Sequence, residues 1–82
     1  MSSEDLLRIS LARRACDGDG RRLRLERRLS LREVARFVGC DPASISRYER
    51  GKARPSGERA ARYGELIADW LLADKAESET AR

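Results

Sequence analysis

The sequence predicts an all-α fold of five short helices, and three observations carry that prediction. No stretch alternates apolar and polar residues with the period of two that a half-buried strand requires. Apolar residues recur instead at spacings of three and four, as in Val34, Ala35 and Val38 or Tyr63, Ile67 and Trp70. Helix start and stop signals also recur along the chain, among them Ser30-Leu31-Arg32-Glu33, Asp41-Pro42, Gly39 and Gly51. A chain of 82 residues buries only about two-thirds of its unfolded surface, which suffices for one modest core and no second domain. The expected organisation is an N-terminal helix within residues 1–19, a helical body at 20–76 and a polar tail at 77–82.

The first helix is expected over residues 4–16, capped by Ser2 or Ser3, with Glu4 and Asp5 favourably placed in its first turn. Leu7, Leu11 and Ala15 recur at helical spacing with Leu6 alongside, and Asp17-Gly18-Asp19-Gly20 is a turn cluster that ends the helix. A second helix over 21–28 carries Leu23 and a dense set of arginines. Ser30 and Glu33 form a capping box that opens the third helix, and Gly39 stops it as a left-handed residue would. Asp41 then caps the fourth helix, with Pro42 in its first position, and Gly51 follows its end. The fifth runs from near Ser56 to about Lys75 with Ala60, Tyr63, Ile67 and Trp70 inward, leaving a frayed tail.

Composition excludes most chemistry. There is no histidine, which removes the commonest general base and metal ligand, so no catalytic residue, metal site or cofactor is expected. Cys16 and Cys40 stand outside any metal-ligand spacing and read as two reduced thiols. Residues 1–5 are acidic where a secretion signal is basic, and the apolar stretches 66–68 and 70–73 are too short to span a bilayer. A soluble, cytoplasmic protein is the expectation.

Charge placement is more informative than the net +4. Residues 1–64 carry +7 and residues 65–82 carry −3. The excess sits within residues 21–54, where 11 basic residues face 4 acidic ones. Sixteen of the eighteen cations are arginine, which suits two-pronged contacts to phosphate and guanine. Only Gly39-Cys40-Asp41 separates the third and fourth helices, so the two cross steeply, as in a helix-turn-helix. The fourth helix has a narrow inward stripe of Ile45 and Tyr48, which leaves Ala43, Ser44, Ser46, Arg47 and Arg50 outward. Small outward residues plus arginine suit insertion into a DNA groove, because bulky ones would hold the backbone away from base edges.

The stretch Leu29-Ser30-Leu31-Arg32-Glu33-Val34-Ala35, then Val38-Gly39, then Ser44-Ile45-Ser46-Arg47-Tyr48-Glu49-Arg50-Gly51-Lys52, with Arg54 and Pro55, resembles the XRE family of lambda-repressor and Cro-type helix-turn-helix proteins. The resemblance covers about residues 20–70. It implies a five-helix lambda-repressor-like DNA-binding fold with an extra N-terminal helix, and a recognition helix at 42–50. The arginine-rich composition and the leading segment after Glu4 are similar to versions from actinobacteria and their phages. By resemblance, Pro42, Ala43, Ser44 and Arg47 read bases, and Arg32, Ser46, Arg50, Lys52 and Arg54 meet phosphates. Arg24 and Glu49 match an internal ion pair that ties the first family helix to the recognition helix.

Three positions depart from the family pattern. Leu31 stands where many members place a glutamine, so helix amides and Arg32 are left to hold that phosphate. Arg28 replaces the usual glycine at the end of the first family helix. Pro42 and Ala43 donate no side-chain hydrogen bond, so they read a thymine methyl or DNA shape. Arg21, Arg22, Arg27 and Arg28 are read as a solvated face and kept outside the site. Leu71 and Leu72 add an apolar strip to the last helix that either covers the N-terminal helix or joins two copies. The implied function is a sequence-specific regulator of a duplex DNA operator, repressor or Cro-like, with no membrane and no small-molecule ligand. The alternatives are a protein-interaction or antitoxin-like adaptor that acts through the last helix, and an arginine-rich surface lying on an anionic membrane.

Overall fold

The computed structural model describes residues 2–80, with side chains up to residue 76. Its helices are α1 Ser3–Arg14, α2 Gly20–Glu26, α3 Leu31–Val38, α4 Pro42–Glu49 and α5 Gly57–Thr80. No strand occurs among the described residues. Ser2 is the cap of α1, its hydroxyl accepting from the Asp5 amide at 3.2 Å.

The break expected at residues 17–20 is present: Asp17 at φ −95°, ψ 19° and Gly18 at φ 106° leave helical geometry, and the chain kinks there before α2 begins at Gly20. Helices α1 and α2 meet at this kink, and counting them as one kinked rod leaves four helical runs among the described residues. Helix α2 is also shorter than the expected 21–28.

Helices α2 and α4 end in the same way. The Leu29 amide donates to the Arg24 carbonyl at 3.2 Å and the Arg28 amide to Leu25 at 3.1 Å. Correspondingly, the Lys52 amide donates to Arg47 at 2.9 Å and the Gly51 amide to Tyr48 at 3.1 Å. Both are Schellman closures, which place one residue in the left-handed region. At α4 that residue is Gly51, φ 70°; at α2 it is Arg28, φ 56°, where a side chain is strained by about 1–2 kcal/mol.

Helix α3 follows its sequence signals. The Glu33 amide donates to the Ser30 hydroxyl at 3.0 Å, the Ser30 amide donates back to the Glu33 carboxylate at 3.2 Å, and Gly39 ends the helix at φ 87°. Helix α5 buries Ala60, Tyr63, Ile67 and Trp70 as its spacing predicts. It runs on to Thr80, beyond the expected end near residue 75; residues 81–82 of the expected frayed tail lie outside the described residues.

The core joins Leu23 of α2, Val34, Ala35 and Val38 of α3, and Ile45 and Tyr48 of α4 to that face of α5. Helix α1 lies along α5 with its backbone in contact at Gly64, where an added Cβ would fall 2.2 Å from the Arg8 carbonyl oxygen. Of the expected stripe, Ala15 is buried and Leu11 packs against the core, joined by Ala12 and Cys16, whereas Leu7 and its neighbour Leu6 are 59% and 57% exposed. Arg27 clasps α2 to α5: its guanidinium donates to the Trp70 carbonyl and the Asp74 carboxylate, both at 2.7 Å, and sits 5.3 Å from the Trp70 ring centre. Of the two leucines in the second apolar strip, Leu71 packs against the core and Leu72 is 65% exposed. No helix of the described residues is long and apolar enough to cross a membrane.

Candidate nucleic-acid interface

Asp41 caps α4 and organises its first two turns. Its carboxylate accepts from the Ser44 amide at 3.3 Å and from the Ser44 hydroxyl. Arg47 in turn donates to the Ser44 hydroxyl oxygen at 3.2 Å. The result is a chain of contacts Asp41–Ser44–Arg47 at steps of three residues, along one side of the helix. Hydrogen bonds from Ser44, with Arg47 nearby, hold the Asp41 carboxyl below the usual carboxylate range. Ser44 is thus buried and committed within the protein rather than outward, as its sequence position suggested. It shares a face with Tyr48, four residues on. Pro42, Ala43 and Arg47 remain exposed on the outer surface of α4.

Below that surface, Arg24 and Glu49 form a two-pronged pair. Nε meets one carboxylate oxygen at 2.6 Å and Nη2 the other at 3.0 Å, with side chains 10% and 4% exposed. Arg24 also donates to the Leu29 carbonyl at 2.9 Å, so α2, its C-terminal turn and α4 share one buried guanidinium. The contact to Glu49 raises the Arg24 pKa further, so its charge is permanent.

All three carboxylates of the α3–α4 segment are spent internally: Glu33 on the Ser30 amide, Asp41 on Ser44, Glu49 on Arg24. The cations are not. Arg32, Arg36, Arg47, Arg50, Lys52 and Arg54 are exposed, and among the described residues none of them takes part in an ion pair. Arg50 returns only to the Ser46 carbonyl of its own helix, at 3.3 Å.

A groove of about 690 Å³ runs between α2 and α4 at the start of α3. It brings Ser46 and Arg50 together with Arg21, Arg22 and Arg24, with Leu31 in its wall. Arg24 is neutralised by Glu49, and Arg22 by Asp19 and Glu26 at 3.4 and 3.0 Å. Arg21 has no such partner among the described residues, and its place in the groove is what the sequence reading missed. The signal was present: Arg21 stands three residues before Arg24, on the same side of α2. Arg54 does not line this groove; it borders a separate cavity with Arg13.

The groove and the outer face of α4 present exposed guanidinium groups without ion-pair partners among the described residues, Arg21, Arg47 and Arg50, beside the small exposed residues Pro42 and Ala43. Among the described residues, no group of His, Cys, Asp and Glu side chains is arranged to hold a metal ion. A family model described as helix-turn-helix matches residues 21–67, more than half of the chain. No curated protein and no solved structure matches it.

Proposed function

The chain belongs to the XRE-type helix-turn-helix family of DNA-binding regulators, and on that premise we propose that it binds one duplex operator sequence with α4 in the major groove. The observation that carries this reading is the imbalance of charge at α3–α4, where the carboxylates are spent on helix caps and one buried pair while the cations are exposed without ion-pair partners among the described residues. Arg47, steadied by Ser44, grips O6 and N7 of a guanine. Pro42 and Ala43 meet a thymine methyl or read local shape, and Ser44 contributes to base reading by fixing Arg47. Arg32, Ser46, Arg50, Lys52 and Arg54 hold phosphates, and Arg21 joins them across the groove. Such contacts set the register that lets the helix read sequence.

Bound at a promoter, the domain excludes polymerase or competing regulators, as Cro-type repressors do. Two copies pair through the C-terminal part of α5, which carries the exposed Leu72. A second reading, an adaptor that grips another protein, draws on Leu6, Leu7 and Leu72, which are all more than half exposed. Selection from a random duplex library separates the two. The regulator enriches one short motif containing a guanine that Arg47→Ala no longer selects. An adaptor enriches none, and that outcome overturns the operator reading.

A further inference from the structure

A cavity of about 370 Å³ lies where α1 meets the connection from α4 to α5. Its walls are mostly apolar, formed by Ile9, Ala12, Pro55 and Ala60 with Ser56 and Gly57 beside them. Arg13 and Arg54 line it as well, both exposed and both without an ion-pair partner among the described residues. Cys16 closes one side; burial pushes its thiol pKa up, so it adds neutral surface rather than a second reactive charge.

Three other cavities among the described residues lack this combination. The groove beside α4 is walled by arginines and suits phosphate alone. The cavity at Arg62 and Arg59 has the first cation bound to Glu58 at 3.0 Å and the second hydrogen-bonded with Tyr48, and the one at Leu7 is rimmed by Glu4, Glu65 and Asp69, which repel anions. The volume falls within the range of about 300–1,000 Å³ usual for small-molecule sites. Apolar walls with two uncompensated guanidinium groups fit a ligand with an apolar body and one carboxylate. The family match begins at residue 21, so the α1 side of this cavity lies outside what the family model covers.

We propose that this cavity binds a small apolar carboxylate, of the size of benzoate or hexanoate, whose acid group is met by Arg13 and Arg54. Arg54 is also one of the cations assigned above to the DNA backbone. Resting on that reading, a bound acid withdraws Arg54 from phosphate, and by linkage acid and DNA weaken each other's binding by the same factor.

The test is an amide-resolved NMR titration of the full chain with sodium benzoate and sodium hexanoate, with benzyl alcohol and hexylamine as uncharged and cationic controls. Saturable shifts confined to residues 9–16 and 53–60, with the acids only, are expected. Arg13→Gln weakens the acids by about tenfold, the order expected when a charged hydrogen-bond donor is lost. It leaves DNA affinity measured without acid unchanged. In the parent chain, saturating acid lowers DNA affinity at least about fivefold, the low end of ordinary coupling. Absent or non-saturating shifts, equal shifts with the alcohol, or shifts spread over all arginines overturn the site. Acid binding that leaves DNA affinity untouched overturns the antagonism through Arg54. The NMR titration decides the site even if the chain binds no DNA.

Discussion

The α3–α4 surface and the α1–α5 pair have similar stocks of arginine and use them in opposite ways. Along α1, α2 and α5 most cations are answered close by: Arg8 by Asp5, Arg14 by Asp19, Arg27 by Asp74, Arg62 by Glu58. At α3–α4 the neighbouring acids are used as helix caps or buried beneath the surface, and the arginines are exposed without ion-pair partners among the described residues. A count of charges cannot separate the two regions; the pairing does. Exposed ion pairs contribute little to stability, so the first region is a solvated scaffold. The second holds its positive charge ready for an external anion.

Removing the one buried pair should have the largest effect. Glu49→Ala strands Arg24 with its charge unmatched and should cost about 3–5 kcal/mol in urea unfolding. A loss below about 1 kcal/mol would mean that water already solvates the pair. On the scaffold side, Gly64→Ala drives a methyl into the Arg8 carbonyl. It should lower stability by about 2–3 kcal/mol, the upper part of the usual overpacking range. A neutral result, read by thermal unfolding, would mean that α1 does not press on α5 at that point.

Next comes the reading surface. Arg47→Ala should weaken the preferred duplex by about 1–3 kcal/mol and random DNA hardly at all. Equal losses on both would make Arg47 a phosphate contact. The smallest effect has the opposite sign. Arg28→Gly relieves the left-handed strain at the end of α2 but adds chain entropy to the unfolded state, and a net gain of about 0.5–1 kcal/mol is expected. No gain would show that Arg28 makes a compensating contact.

What was legible in the sequence follows from the range of the forces involved. The caps of α3 and α4 rest on residues three apart, so Ser30, Glu33, Gly39, Asp41 and Pro42 announced them without tertiary help. The inward stripe of α5 was equally plain, because Tyr63, Ile67 and Trp70 share one face with Ala60. The orientation of α1 was legible only in part: Leu11 and Ala15 pack inward as their spacing suggests, but the close backbone approach at Gly64, more than fifty residues away, brings Ala12 rather than Leu7 onto the buried face. The kink at Asp17 and Gly18 was legible as a break, since the glycine supplies the left-handed backbone that leaves the helix. Ser44 was misplaced outward because a hydroxyl reads as solvent-facing until its cap partner is seen. Arg21 was passed over because a run of arginines does not reveal which members lack an acid.

The central claim is that the α3–α4 surface binds a polyanion through uncompensated cations, and salt tests it most directly. Affinity for the selected duplex should fall with a log–log slope of about −4 to −7 against salt concentration, as for five to eight neutralised phosphates. Arg50→Ala should make that slope shallower by about one, while Arg62→Ala, whose partner Glu58 lies on its own helix, should leave it unchanged. A slope near zero, or one that responds equally to both substitutions, would contradict the account.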